Sequence, residues 1–139
     1  MQAPPFTLRE YHTDTYKSLS DYKGQAVMVT FWASWCPDSI RDLAQKAQFY
    51  QSMQTDKLAF LTINVTGREG HDEDGATFIK EHNYTFPVLF DEGTKVYDRY
   101  RCMGVPTTVL INEQQEIVAT YNDRAAFIDI IKGVGKLIE

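Results

Sequence analysis

A chain of 139 residues, 43% hydrophobic and 24% charged, has the size and composition of one globular domain, so we expect a single domain over residues 1–139. A net charge of −5 argues against a nucleic-acid partner. The two cysteines, Cys36 and Cys102, exclude a framework of several disulfides. The three histidines lack metal-ligand spacing, so we expect neither a metal ion nor another cofactor.

The first half of the chain predicts a hairpin, a buried strand and a long helix. Residues 6–8 and 16–19 alternate apolar and polar side chains, which is typical of a half-exposed hairpin. Residues 26–33 are nearly all apolar and predict a strand buried on both faces. A helix follows from Pro37. We expect its apolar face to consist of Ile40, Leu43, Ala44, Ala47, Tyr50 and Met53.

The second half alternates strand and helix signals and closes with a hairpin and a helix. We expect a strand at 58–65, a polar loop at 66–75, a helix at 76–82 ended by Asn83, a strand at 86–90 and a helix at 94–100. Strands at 107–111 and 117–121 then form a hairpin. The last helix carries a one-sided apolar stripe of Phe127, Ile130, Ile131, Val134, Leu137 and Ile138. This order predicts an α/β fold.

Residues 31–37, FWASWCP, place a cysteine where a buried strand gives way to a helix. Proline is favoured at the first helical position, so Cys36 stands just before the helix start. The unpaired N–H groups and the dipole of a helix N-terminus stabilise a thiolate, which is the reactive form of cysteine. The alternative is a buried structural cysteine. We favour a nucleophile because Trp35 flanks Cys36 and the strand breaks there.

The FWASWCP segment resembles the thioredoxin superfamily. Four more segments resemble its extracytoplasmic TlpA/ResA-like thiol–disulfide oxidoreductases: APPFTL at 3–8, YKGQ at 22–25, TFPVLFD at 85–91 and GVPTTVLIN at 104–112. The resemblance implies a thioredoxin-like α/β fold, with a central mixed β-sheet flanked by helices, an N-terminal β-hairpin extension and an inserted helix. It also implies exchange between protein thiols and disulfides without a cofactor.

The same resemblance carries expectations about partners and location. It implies protein thiols or disulfides as substrates, a thiol reductant donor in the membrane or in solution, and a monomer. It implies the extracytoplasmic side of a bacterial membrane, with an export or anchor segment outside these residues. A cytoplasmic location is the alternative, because the sequence shows no signal peptide and no apolar stretch of about 18 residues.

Ser39 occupies the position where two-thiol exchange requires a second cysteine, three residues after Cys36. A serine hydroxyl cannot form a disulfide, so a mixed disulfide at Cys36 would persist. We favour an engineered replacement of cysteine by serine, because the rest of the motif is intact; a natural one-thiol protein is the alternative. Two other functions stay open: a redox-inactive binding or chaperone module, and a glutaredoxin-like monothiol enzyme that uses glutathione.

The resemblance extends to further site residues. Thr30 stands where cytosolic thioredoxins carry a buried acid, and the extracytoplasmic branch supplies a glutamate from a later loop, which points to Glu69. The alternative is that Glu69 is one of several solvated acids on that loop. Val105 and Pro106 resemble the cis-proline pair that faces the reactive cysteine, and with Trp35 and Pro37 they are the expected substrate-binding residues.

Cys102 is interpreted as a small core residue. The alternative, a substitute resolving thiol, requires its Cα to lie within about 7 Å of the Cα of Cys36.

Overall fold

The computed structural model describes all residues, 1–139. In chain order the elements are β1 (Thr7–Arg9), β2 (Tyr16–Ser18), β3 (Ala26–Trp32), α1 (Pro37–Ser52), β4 (Leu58–Asn64), α2 (Asp74–His82), β5 (Val88–Phe90), α3 (Lys95–Arg99), β6 (Thr107–Ile111), β7 (Ile117–Tyr121) and α4 (Phe127–Ile138). None of the four helices is both long and apolar enough to cross a membrane.

Five strands form a central mixed sheet in the order β5-β4-β3-β6-β7. Strands β3, β4 and β5 run parallel, whereas β6 and β7 run antiparallel to their neighbours. Strands β1 and β2 pair as a separate hairpin. This arrangement confirms the predicted thioredoxin-like α/β fold with an N-terminal hairpin.

Every residue of β3 and β4 is buried, as their apolar runs predicted. Because side chains alternate along a strand, β3 sends Val27, Val29 and Phe31 to one face of the sheet. That face packs against the N-terminal segment and α3. Met28 and Trp32 lie on the other face, which packs against α1, α2 and α4. The sheet core therefore lies between two apolar layers, and α1 packs on the face that carries Met28 and Trp32.

Some element boundaries differ from the sequence prediction. Strand β5 begins at Val88 and not at residue 86, because Pro87 has no N–H to donate to the ladder. The predicted loop at 66–75 contains a 3-10 turn at Thr66–Arg68, and α2 already begins at Asp74. Asn83 ends α2 with φ of 55°, as expected of a residue that tolerates the left-handed region.

The buried face of α1 differs from the predicted one. Ile40 and Ala44 are exposed, and the buried residues of the helix are Ser39, Leu43, Lys46 and Ala47. Leu43, Ala47, Tyr50 and Met53 face the core as predicted. Only Ile40 and Ala44 lie outside the buried face, which includes Ser39 and Lys46 in addition. The apolar pattern could not find these two members, because serine and lysine are residue types that are mostly exposed.

Glu10 joins the N-terminal hairpin to the sheet. Its buried carboxylate accepts hydrogen bonds from the Thr13 N–H at 2.9 Å and the Val88 N–H at 3.0 Å. Burial by itself would raise the pKa of Glu10, but these backbone hydrogen bonds hold that pKa below its ordinary value. An isolated bridge between Glu10 and Leu89 also covers the β5 edge, so this edge is not free for pairing.

Candidate active site

Cys36 is the N-terminal cap residue of α1. Its backbone is extended, Pro37 is the first residue of the helix, and its carbonyl accepts the Ile40 N–H at 2.9 Å. The thiol donates to the Val105 carbonyl across 3.5 Å, and only 8% of the residue is exposed. The sulfur therefore lies between the helix start and the loop that carries Val105.

The Val105–Pro106 peptide bond is cis. Strand register explains why this bond reaches Cys36: Thr107, the first residue of β6, pairs with Phe31 near the end of β3. The two residues before β6 consequently lie beside the turn that joins β3 to α1. The structure thus brings together Cys36, Val105 and Pro106, which the sequence separates by about seventy residues.

Ser39 lies in the first turn of α1 and is fully buried. Its Oγ accepts a hydrogen bond from the Ala33 N–H at 3.4 Å. The side chain therefore points under the turn at residues 33–36 that joins β3 to α1, which we call the active-site turn. This is the position that a resolving thiol would need.

Cys102 is half-buried and is not close to Cys36. Burial raises the pKa of its thiol to about 12. The side chain packs against the core cluster that contains Phe31 and Tyr97. The structure thus gives Cys102 the place of a core residue, and no second thiol stands next to Cys36.

Glu69 contacts the active-site turn directly. One carboxylate oxygen accepts the Ser34 N–H at 2.7 Å, and the other accepts the Ser34 hydroxyl at 2.6 Å. The Asn64 amide donates to the first of these oxygens at 2.7 Å. Glu69 therefore holds the residue two positions before Cys36, and it is not a fully solvated acid.

Asn64 and Gly75 support this contact, and the sequence analysis missed both. Asn64, the last residue of β4, is fully buried, and its amide also donates to the Trp32 carbonyl. Gly75 in α2 packs so closely that a Cβ atom there would lie 2.1 Å from Asn64 Oδ1. The glycines of the 66–75 segment were the only feature of the sequence that could indicate a close contact between the backbone of this segment and a neighbouring element.

Two exposed apolar side chains stand close in the chain to Cys36 and to Val105. Trp35 is 54% exposed, and its indole N–H donates to the Arg68 carbonyl. Met103, two residues before Val105, is 98% exposed. Exposed apolar groups of this kind are suited to contact a polypeptide.

A second polar group lies beneath α1. The fully buried Lys46 ammonium contacts Thr30, Thr108 and Asp42. A polar cavity of about 200 Å³ next to it is lined by Asp42, Thr108 and Pro106, among others. No cluster of three histidine, cysteine, aspartate or glutamate side chains is arranged to hold a metal ion.

The fold and the cysteine site define the class as thioredoxin-like proteins. Within this class the chain belongs to the AhpC/TSA family, which matches residues 1–120. The relatives that it resembles in sequence are thiol–disulfide oxidoreductases, in agreement with the resemblance seen in the sequence.

Two relatives from Bacillus subtilis strain 168 show the extent of the similarity. Sporulation thiol–disulfide oxidoreductase A is 34% identical over 98 residues, which cover 70% of this chain and 59% of the relative. Thiol–disulfide oxidoreductase ResA is 30% identical over 117 residues, which cover 84% of this chain and 63% of the relative. The chain thus spans about three fifths of the length of these relatives.

The crystal structure of StoA from Bacillus subtilis is similar over nearly its whole length. It superposes with a TM-score of 0.82 at 26% identity, covering 95% of this chain and 97% of that one.

Proposed function

We propose that this domain performs thiol–disulfide exchange with protein substrates through Cys36. The observation that carries the proposal is the place of the sulfur, at the start of α1 and 3.5 Å from the carbonyl that precedes cis-Pro106. A helix start favours the thiolate, and the adjacent backbone of Val105 can pair with an extended substrate segment. The family relationship supports the same reaction class.

The reaction begins when the Cys36 thiolate attacks one sulfur of a substrate disulfide. A new disulfide forms between Cys36 and the substrate, and the other substrate sulfur leaves as a thiolate that takes up a proton. In a two-thiol enzyme the residue at position 39 would then attack Cys36 and release the substrate. The Ser39 hydroxyl cannot do this, so we propose that the mixed disulfide accumulates.

We favour the interpretation that Ser39 replaces a cysteine. Its burial in the first turn of α1 and the intact motif around it support this interpretation, because a resolving thiol is required at that place. Sequencing the native gene tests it: a cysteine codon at 39 supports a complete exchange enzyme, whereas a serine codon supports a natural one-thiol protein.

The other proposed site residues act around the sulfur. Trp35, Pro37, Val105 and Pro106 are the proposed substrate-binding surface, since they flank or face the thiol. We propose that Glu69 assists proton transfer at the resolving step while it holds the turn through Ser34.

The proposed role of Glu69 is tested in a Ser39→Cys background. Glu69→Gln should change the pH–rate profile of exchange, since it removes the carboxylate that takes part in proton transfer. A profile of unchanged shape at a uniformly lower rate would leave Glu69 only the holding role.

Trapping of a mixed disulfide tests the function itself. The chain is incubated with a disulfide-containing polypeptide and analysed by intact-mass spectrometry, with Cys36→Ala and Cys102→Ala as matched variants. We expect an adduct that dithiothreitol removes, that survives Cys102→Ala and that is absent in Cys36→Ala. Ser39→Cys should convert the trapped adduct into turnover in an insulin-type disulfide reduction assay.

Other results would identify the other functions. A binding or chaperone module would retain its partner without a covalent mass change. A glutaredoxin-like monothiol enzyme would give chiefly a glutathione adduct and would turn over with excess glutathione. An adduct on Cys102 and none on Cys36 would contradict the assignment of the nucleophile.

We also propose a location and partners. The resemblance to the extracytoplasmic branch supports a location on the outer side of a bacterial membrane, with a membrane or soluble thiol donor as the redox partner. Cell fractionation of the source organism tests the location, and size-exclusion chromatography tests the expectation of a monomer.

A further inference from the structure

A surface pocket of about 450 Å³ lies beside the loop that precedes cis-Pro106. Residues 101–104 line it, and so do the end of β7 and the loop that follows. Its polar side chains are Arg101, Thr107, Thr120, Asn122, Asp123 and Arg124. We call it the arginine pocket. The exchange chemistry at Cys36 uses none of these side chains.

The arginine pocket adjoins the reactive sulfur. Gly104 lines the pocket, and the carbonyl of the next residue, Val105, lies 3.5 Å from Cys36 Sγ. Arg101 precedes Val105 by four residues, a chain length of at most about 14 Å. An extended polypeptide advances about 3.3 Å per residue. A substrate residue within about four positions of the reacting cysteine can therefore reach the pocket.

Hydrogen bonds hold both sides of the pocket. The Thr107 hydroxyl donates to the Gly104 carbonyl at 2.7 Å, which ties the loop before the cis-proline to β6. On the other side, the Asn122 side chain accepts the Arg124 N–H at 2.9 Å. Arg124 also lines the smaller polar cavity that Pro106 lines. The two arginines thus stand on separate segments, both next to the cis-proline.

Arg101 and Arg124 carry two positive charges that have no partner within the chain. Both residues are exposed, and the four ion pairs of the chain involve other basic residues. Asp123 supplies the one negative charge of the pocket, so two positive charges and one negative charge give a net charge of +1. The whole chain has a net charge of −5. The pocket therefore attracts a negatively charged group that the rest of the protein repels.

Arg101 occupies a backbone position that favours glycine. It follows Tyr100 at the end of α3, and its φ is 57°. This left-handed conformation is unfavourable for a residue with a Cβ atom, and helices commonly end with glycine there. An arginine at this position costs stability that a glycine would not cost. Such an outlier next to a reactive site points to a role for the side chain.

We propose that the arginine pocket binds an acidic segment of the polypeptide substrate, in which aspartate or glutamate side chains within about four residues of the reacting cysteine pair with Arg101 and Arg124. Guanidinium groups bind carboxylates through two parallel hydrogen bonds. Met103, which is 98% exposed and also lines the pocket, adds apolar contact. Methionine and arginine are both enriched at protein interfaces. The inference rests on the proposed thiol–disulfide exchange at Cys36 and adds a substrate preference to it.

Three peptides test this preference. Each contains one cysteine in a mixed disulfide with thionitrobenzoate. One peptide has three glutamates after the cysteine, one has three glutamates before it, and one has glutamines at all of these positions. The Cys36 thiolate attacks the peptide sulfur, the bond to thionitrobenzoate breaks, and thionitrobenzoate leaves as a coloured thiolate. Its release gives the rate constant, and peptide mapping verifies that the peptide is attached to Cys36.

We expect one of the two glutamate peptides to react about tenfold faster than the glutamine peptide, since each exposed ion pair contributes about threefold. The other glutamate peptide should react no faster, because its acidic residues point away from the pocket. The preference is the ratio of the two rates within one variant. Arg101→Gln and Arg124→Gln should each lower it about threefold, and the double variant should abolish it.

Two controls separate the pocket from net charge. Lys136→Gln makes the same charge change at an exposed residue of α4 and should keep the full preference. An increase in ionic strength from about 0.02 M to about 0.5 M should weaken the preference in the parent, because salt screens exposed charges. Urea unfolding verifies that each variant is folded, and if one arginine variant does not fold, the other decides the question.

Several results would overturn the inference. Equal rates with all three peptides would show that the pocket does not select acidic segments. Equal acceleration of both glutamate peptides would indicate a general charge effect, and a preference that survives in the double arginine variant would arise elsewhere. Failure of the proposed function is a different outcome, in which the parent releases no thionitrobenzoate from any peptide and both proposals fall.

Discussion

Gly75→Ala tests whether the contacts that link α2 to the active-site turn, through Asn64 and Glu69, affect stability and the reactivity of Cys36. Gly75 has no side chain, and Asn64 occupies the space next to it: an added Cβ would lie 2.1 Å from Asn64 Oδ1 and 2.4 Å from its Cγ. Asn64 is fully buried and donates to Glu69, which in turn holds Ser34. The substitution therefore either forces a clash or displaces the amide from Glu69.

The expected loss in the free energy of unfolding follows from these two outcomes. Overpacking of a tight site costs about 1–3 kcal/mol. Displacement of Asn64 instead loses a hydrogen bond to a charged group, which is worth about 1.5–3 kcal/mol. Alanine in a helix gains up to about 1 kcal/mol over glycine. Because a shift of Asn64 relieves the clash, the two costs do not add, and the net loss of stability should be about 1–2 kcal/mol.

Urea denaturation measures the free energy of unfolding, and iodoacetamide alkylation measures the reactivity of Cys36. Gly135→Ala in α4 is the matched control, because a Cβ at Gly135 has no heavy atom within 4 Å. This control should gain up to about 1 kcal/mol. Gly75→Ala should lose stability and also change the alkylation rate of Cys36. A Gly75→Ala variant as stable as Gly135→Ala, with unchanged Cys36 reactivity, would refute the reasoning.

Three other predictions concern residues outside this chain of contacts. Glu10→Gln should lower the free energy of unfolding by about 2 kcal/mol at pH 7. The folded-state pKa of Glu10 is depressed, so the stability that its carboxylate contributes is present above the ordinary pKa and is lost as the pH falls through the folded-state pKa. The difference in unfolding free energy between Glu10→Gln and the parent should therefore shrink in acid. Denaturation curves that show the same difference at every pH would contradict this. At pH 8 iodoacetamide should label Cys36 before Cys102, since burial raises the pKa of Cys102 to about 12. Peptide mapping that finds Cys102 labelled first would contradict this prediction. Asn83→Ala should cost about 1 kcal/mol in thermal or urea unfolding while Asn83→Gly should cost nothing, because φ at this residue is 55°; equal effects would contradict the helix-end assignment.

Local patterns in the sequence were sufficient for the α/β order of strands and helices, and the family resemblance supplied the thioredoxin-like fold. The buried strands β3 and β4 are continuous apolar runs, and the hairpin of β6 and β7 follows from two such runs around a polar turn. Pro37, which follows an apolar strand, predicted that Cys36 lies at a helix start. This prediction required only the residues next to Cys36 in the chain. The family resemblance then supplied the cis-proline loop and pointed to Glu69.

Only the tertiary structure decided which distant residues meet. Glu69 and Ser34 are 35 positions apart, and Lys46 and Thr108 are 62 apart, so no periodicity connects them. The burial of Lys46 contradicts the usual preference of lysine for the surface, and it is tolerated because Thr30, Thr108 and Asp42 converge on its ammonium group. A sequence pattern records the environment that each residue type prefers on average. Strand register and helix packing determine which partners a particular side chain finds, and these partners determine whether a buried charge or a close glycine contact is stable.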